Sequence, residues 1–101
     1  MTTFLLSYRM PEGYVPGGAG ATDRWRAWFD SLGDQLTNRG NPVFERSELG
    51  NCGPDTRLGG YSLITAPDLE TAITLAKGCP AVSGGAGGVE VGVLAEIAPA
   101  G

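Results

Sequence analysis

The stretch of residues 59–80, GGYSLITAPDLETAITLAKGCP, constrains the fold of this chain most, because it reads as a strand followed directly by a helix. Residues 58–65 alternate in side-chain direction and contain the aromatic and β-branched types that favour strands. Thr65 and Asp68 then fit a capping box, in which a Thr hydroxyl and an acid three residues later satisfy free N–H groups at the start of a helix. The closing Gly-Cys-Pro is typical of a helix end. The stretch therefore predicts a strand–helix unit.

The rest of the chain supplies four more elements. Short apolar or alternating runs predict strands, and one apolar stripe at helical spacing predicts a helix. In chain order we predict a strand at 3–9, a helix from residue 22 or 23, strands at 43–49 and 58–65, a helix after residue 65 and a strand at 89–97. This βαββαβ order folds most simply as an α+β, ferredoxin-like sandwich, an antiparallel four-stranded sheet with two helices on one face. At 101 residues the chain forms one domain, residues 1–101.

The predicted first helix carries an apolar stripe that contains both tryptophans. The members of the stripe recur at helical spacing and are Trp25, Trp28, Phe29, Leu32 and Leu36. Thr22 or Asp23 is suited to cap the start of this helix, and Gly40 is suited to end it. Gly33 interrupts the helix at a cost of about 1 kcal/mol relative to Ala, so we expect something to pack closely there.

The first strand is apolar on both faces, since Phe4 and Leu6 point to one side and Leu5 to the other. Two helices cover only one face of a ferredoxin-like sheet, so an apolar second face needs another cover. A second copy of the chain is the simplest cover. We therefore predict a homodimer that forms through the sheet face.

Charge and composition argue against several classes of function. The chain has seven Lys and Arg residues against eleven acidic ones, a net charge of −4 and a pI near 4.5, so we expect no nucleic-acid partner. No apolar run approaches the roughly 20 residues of a membrane span, and the N-terminal MTTFLLSYRM is too short and too polar for a signal peptide. We therefore predict a cytoplasmic protein without membrane contact.

Metal and cofactor sites also find little support in the sequence. Histidine is absent, and Cys52 and Cys79 form no CxxC pair, so a zinc site is disfavoured. The glycine-rich run at 17–20 lacks the spacing of a phosphate-binding loop and is followed by the acidic Asp23. We predict reduced thiols, no metal and no cofactor.

The second half of the chain combines several features in order. Gly59-Gly60-Tyr61 lies in a strand, a capped helix over residues 65–80 ends in Gly-Cys-Pro, and a glycine-rich loop precedes Val89-Glu90-Val91. This combination resembles the YCII-related (DGPF-domain) family, and the resemblance extends through the Trp-bearing first helix to most of the chain. It implies a dimeric α+β barrel, in which two ferredoxin-like units join through their sheets.

Two features depart from the pattern of that family. Its members often carry Asp-Gly-Pro-Phe ahead of the Gly-Gly-Tyr strand, where this chain has Cys52-Gly53-Pro54-Asp55. Some members carry a histidine proposed to work with an aspartate, and this chain has no histidine. No catalytic pair is therefore transferred to this chain, and its catalytic residues stay unknown.

We predict a small-molecule pocket between the first helix and the sheet, beside the loop at 50–57, because aromatic, Arg and Asp side chains come within reach of one another there. The candidate lining residues are Trp25, Trp28, Arg46, Asp55 and Tyr61. Each candidate also has a simpler interpretation. Tryptophans three residues apart on an apolar stripe also form cores, and the arginines of this region can pair with Glu45 or Glu48 at the surface.

Three functions fit these observations. The first is a homodimer that binds a small, partly apolar metabolite in the helix–sheet cleft without catalysis. The second is a cofactor-independent enzyme of the dimeric α+β barrel type (an isomerase, lyase or oxygenase) in which Asp, Tyr or Arg carries the proton chemistry. The third is a structural interaction module. The lack of histidine disfavours the enzyme, because Asp or Tyr needs a strongly shifted pKa to act near neutral pH.

Overall fold

A four-stranded antiparallel sheet with helices on one face forms the frame of the molecule. The computed structural model describes residues 1–14, 20–85 and 87–96. The strands are β1 (Thr2–Pro11), β2 (Leu36–Asn38), β3 (Thr56–Ala66) and β4 (Gly88–Val93), and the helices are α1 (Ala21–Leu32), α2 (Leu69–Ala76) and α3 (Pro80–Ser83). The strand order is β2-β3-β1-β4. The α+β, ferredoxin-like fold predicted from the sequence is therefore confirmed, with α3 as an addition.

The two long strands at the centre of the sheet place their apolar residues on the face that the helices cover. In the antiparallel pairing of β1 with β3, Phe4 lies opposite Ile64 and Leu6 opposite Ser62, and all four side chains are buried. Full burial of one large apolar side chain contributes about 1.5–3 kcal/mol, so this face supplies much of the driving force for folding. The other buried apolar residues of the core are Tyr8, Met10, Trp28, Leu32, Ala66, Ala72, Ala76, Cys79 and Ala81.

Helix α1 is shorter than the sequence predicts. It ends at Leu32, and its C-cap Gly33 has a φ of 56°, a positive value that glycine adopts at little cost. No heavy atom lies within 4 Å of a Cβ built at Gly33, so the expectation of close packing there is wrong. The prediction that the helix continues past Leu36 is also wrong, because Leu36 opens β2, where it still packs against the core.

The predicted strand at 43–49 is also wrong. The edge strand is instead β2, followed by a short segment that continues alongside β3. There Val43 N donates to Gly59 O at 3.1 Å, and Tyr61 N donates to Asn41 O at 3.3 Å. The segment of residues 39–43, which we call the edge segment, thus satisfies backbone groups of β3 that an unpaired edge would leave free.

Helix α2 begins one turn later than the predicted capping box implies. β3 runs on to Ala66, and the N-cap of α2 is Asp68, whose carboxylate accepts a hydrogen bond from Thr71 N at 2.8 Å. This hydrogen bond from Thr71 lowers the pKa of Asp68, because it stabilises the ionised carboxylate. The helix ends at Ala76, shortly before the Gly-Cys-Pro that predicts its end, and Pro80 opens α3, since proline is tolerated in a first helical turn.

The second face of the sheet is mixed in character. It carries Leu5 opposite Leu63, and next to them Ser7 opposite Glu90, and no helix of the described residues packs on it. The expectation of an apolar face thus holds for its centre only. β4 ends at Val93, four residues before the predicted end at residue 97, which lies outside the described residues. No helix in the described parts of the chain is long and apolar enough to cross a membrane.

Candidate functional site

A cavity of about 220 Å3 lies between α1, the edge segment and the helix-covered face of the sheet. Its walls are mostly aromatic or made of glycine backbone, with few polar groups. The lining residues are Tyr8, Met10, Tyr14, Ala21, Thr22, Trp25, Phe29, Arg39, Gly40, Asn41, Pro42, Gly59, Gly60 and Tyr61. Each part of this cavity follows from the local structure around it.

The apolar wall is built by α1 and β1. Trp25 is half-buried on α1, with its ring 4.7 Å from that of Tyr8 on β1 in an edge-to-face contact. Phe29 follows one turn later, and its ring lies 5.8 Å from that of Trp25. Edge-to-face aromatic pairs hold such rings in fixed orientations. The cavity therefore has an aromatic wall, and the candidate Trp25 is part of it.

Trp28 lies behind that wall, in the core. Its exposed fraction is 6%, and its indole Nε1 donates to Leu75 O at 3.2 Å, which ties α1 to α2. A Cβ built at Gly78 would lie 3.1 Å from the Trp28 ring, so the glycine makes room for the indole. Trp28 does not line the cavity, and the simpler core interpretation fits its position.

A hydrogen-bond chain joins the aromatic wall to the edge segment. The Tyr8 hydroxyl donates to Ser62 Oγ at 2.7 Å, and Ser62 Oγ donates to Arg39 O at 2.6 Å. Burial raises the pKa of Tyr8 well above its usual range, because a buried phenolate loses its hydration. Tyr8 is thus a neutral structural hydroxyl, and the chain fixes the backbone at Arg39 against β3.

Arg39 is the one charged side chain among the described residues that line the cavity. It is exposed, and its guanidinium carbon lies 4.8 Å from the centre of the Phe29 ring, a cation–π contact. The ion pairs within the described residues join Arg57 to Glu12 and Glu48, and no described carboxylate pairs with Arg39. Its charge therefore stands next to the apolar wall at the edge of the cavity.

Glycines let the edge segment approach β3 closely. Gly40 has a φ of 72°, and a Cβ there would overlap the carbonyl oxygen of Tyr61. A Cβ at Gly60 would lie 3.1 Å from Asn41 O. The candidate Tyr61 borders the cavity at this point, but its side chain is on the second face of the sheet, where its hydroxyl accepts a weak hydrogen bond from Asn41 Nδ2 at 3.4 Å. The Gly59-Gly60-Tyr61 sequence thus serves the pairing of β3 with the edge segment.

The other two candidates, Arg46 and Asp55, do not line this cavity. Both are exposed in the connection between β2 and β3, where Arg46 lines a shallow surface groove with Glu48 and Arg57. Arg57 Nε lies 3.2 Å from Glu48 Oε1, so surface ion pairing, the simpler interpretation for this region, is present. The structure therefore brings together Trp25 and Tyr61 from the candidate set, while Trp28 lies in the core and Arg46 and Asp55 lie elsewhere.

The two cysteines have different surroundings, and neither lies on the cavity. Cys52 is an exposed free thiol, and its carbonyl accepts a hydrogen bond from Arg9 Nη2 at 3.3 Å. Cys79 is a fully buried free thiol at the N-cap of α3, and burial raises its pKa.

Among the lining residues that sequence reasoning missed, three form the aromatic wall and the charged edge, and two of these three carried a signal. Phe29 follows Trp25 by four residues on the same apolar stripe, and Tyr8 has the same strand parity as Phe4 on the buried side of β1. Arg39 had no such signal, because it stood in a predicted helix end. Its position depends on the edge segment, which pairs with residues about 20 positions away in the chain.

The chain was compared with protein-family models, curated proteins and solved structures, and no match was found in any of the three comparisons.

Proposed function

We propose that this protein binds a small, partly apolar molecule in the cavity between α1 and the sheet. The observation that carries the proposal is the aromatic cavity of about 220 Å3 with one charged side chain at its edge. Small-molecule sites usually combine an apolar lining with few polar groups, in volumes of about 300–1,000 Å3. The volume of this cavity lies below that range, so the proposed ligand is small.

Binding without catalysis is favoured over the enzymatic alternative. The Tyr8 hydroxyl directs its proton to Ser62, and its raised pKa keeps it neutral near physiological pH. Among the described lining residues the cofactor-independent enzyme would have to use Tyr14, since none of them is Asp or Glu and the Tyr61 side chain is on the second face of the sheet with Leu63.

The proposed assembly is a homodimer through the second face of the sheet, as the YCII-related resemblance implies. Its support is the ferredoxin-like strand order together with the pair of Leu5 and Leu63 at the centre of a face that no described helix covers. Stacking two such faces would bury these leucines. A cytoplasmic location and the absence of nucleic-acid and membrane partners, inferred from charge and composition, belong to the same proposal.

The binding proposal is tested by amide NMR with small ring compounds. A ligand in the cavity shifts the amide signals of Gly59 and Gly60, and leaves those of Gly50 and Gly53 in the distant loop unchanged. Ala21→Leu adds bulk to the cavity lining and should abolish the shifts, whereas Ala27→Leu, on an exposed position of the same helix, should preserve them. Shifts confined to the loop, or shifts that survive Ala21→Leu, would contradict the proposed site.

A further inference from the structure

We infer that the molecule bound in this cavity is a carboxylate with a planar apolar body, whose charged end is held by Arg39. The inference rests on the proposed binding function and adds the chemical class of the ligand. Three observations support it, namely the aromatic residues of the apolar wall, the position of Arg39 at the edge and the volume of the cavity.

The apolar wall suits a flat ring. Trp25 is half-buried, and the rings of Tyr8 and Phe29 adjoin it at centroid distances of 4.7 and 5.8 Å. A planar aromatic body placed against these rings gains both apolar burial and the directional contacts that aromatic pairs favour.

The charged edge of the cavity suits one negative charge. The Arg39 guanidinium carbon lies 4.8 Å from the centre of the Phe29 ring, and the N–H donors of a guanidinium lie in its own plane. A guanidinium binds a carboxylate through two parallel hydrogen bonds in this plane. Because Arg39 is the one cation among the described lining residues and the chain has a net charge of −4, a monoanion is favoured over a dianion such as a phosphate monoester.

The volume limits the size of the ligand. A cavity of about 220 Å3 equals the volume of roughly seven water molecules at about 30 Å3 each. One ring with a short substituent fits this space, and Arg39 at the edge places the carboxylate toward solvent.

The test compares benzoate with benzamide, which match in size and differ in charge. We expect benzoate to bind the wild-type protein up to about fivefold more tightly in NMR titrations, because Arg39 is exposed and an exposed ion pair contributes no more than about that ratio. Raising the salt from about 20 to about 200 mM should weaken benzoate binding and leave benzamide binding unchanged.

Variants at Arg39 make the test specific. Arg39→Gln should weaken benzoate by the same factor of up to about fivefold, to the level of benzamide, without changing benzamide binding. Arg46→Gln removes the same charge outside the cavity and should change neither affinity. Arg39→Lys keeps the positive charge but lacks the planar guanidinium, so it should retain part of the preference for benzoate over benzamide. This variant provides a second test if Arg39→Gln folds poorly.

The outcomes separate the inference from the proposed function. If both compounds bind equally and Ala21→Leu blocks both, the binding function stands and the carboxylate inference fails. If the benzoate preference is lost in Arg46→Gln and kept in Arg39→Gln, the inference fails as well. If neither compound shifts the cavity amides up to about 10 mM, equivalent to a binding free energy weaker than about −3 kcal/mol, both are overturned.

Discussion

The hydrogen-bond chain from Tyr8 through Ser62 to the Arg39 carbonyl predicts that Tyr8→Phe destabilises the wild-type protein but stabilises the Ser62→Ala variant. In Ser62→Ala the Tyr8 hydroxyl loses its acceptor inside the core, where Ser62 has no exposed surface. In Tyr8→Phe the Ser62 hydroxyl keeps its hydrogen bond to Arg39 O. The two substitutions break the same Tyr8–Ser62 bond, but only the first leaves a buried hydroxyl without a partner.

The magnitudes follow from what each variant leaves behind. An ordinary hydrogen bond contributes about 1 kcal/mol, and a buried hydroxyl without a partner costs about 1–3 kcal/mol more. We therefore expect Tyr8→Phe to lower the free energy of unfolding by about 1 kcal/mol. Ser62→Ala removes two hydrogen bonds and leaves the Tyr8 hydroxyl unpaired, so it should lower the free energy of unfolding by about 3–5 kcal/mol. Adding Tyr8→Phe to Ser62→Ala removes the unpaired hydroxyl, so the double variant should be more stable than Ser62→Ala by about 1–3 kcal/mol.

Urea denaturation followed by circular dichroism at one protein concentration measures these free energies. The exposed Ser47→Ala is the matched control and should change the free energy of unfolding by less than about 0.5 kcal/mol. If Tyr8→Phe destabilises the Ser62→Ala variant as it destabilises the wild type, Ser62→Ala does not leave the Tyr8 hydroxyl unsatisfied and the reasoning is refuted.

Three other substitutions test separate parts of the molecule. Gly40→Ala should lower the free energy of unfolding in urea by more than about 2 kcal/mol, because φ there is 72° and the new Cβ would overlap Tyr61 O. Asp68→Ala should lower Tm at neutral pH. Folding lowers the pKa of Asp68, so the ionised carboxylate stabilises the folded protein above the usual pKa of 3.8, and this stabilisation is lost as the pH falls through the folded-state pKa. The Tm of Asp68→Ala should therefore approach the Tm of the wild type as the pH is lowered. Leu5→Lys should convert the proposed dimer to a monomer in light scattering.

Matched variants define the results that would contradict these expectations. Gly50→Ala has a similar φ of 75° but no heavy atom within 4 Å of the new Cβ, so an equal loss at Gly40 and Gly50 would show that the overlap is unimportant. Asp68→Asn keeps a capping oxygen and should retain most of the cap without its acid dependence. Leu49→Lys, in an exposed loop, should leave the dimer intact. A wild-type protein that is monomeric at micromolar concentration would contradict the dimer itself.

The candidate site was predictable in part. Its place between the first helix and the sheet follows from Trp25 on an amphipathic stripe above a strand pair, since both patterns are local. The assignment of Arg46 and Asp55 to the same place assumed that the loop before β3 reaches the cavity. The structure has the edge segment there instead, and with it Arg39.

The sequence by itself determined the fold class of this protein. Side-chain alternation and helical periodicity involve residues that are near neighbours in the chain, and they identified β1, β3 and α2 and divided the residues of β1 and β3 between two faces, without saying which face the helices cover. Three features depended on tertiary structure, namely the end of α1 at Leu32, the edge segment paired with β3, and the separation of Trp25 at the cavity from Trp28 in the core. Each of these depends on which distant residues meet: Trp28 finds an acceptor 47 residues away at Leu75, and Arg39 is fixed by Ser62. Such contacts leave no periodic signal in the chain, and they decide where the cavity opens and which cation lies at its edge.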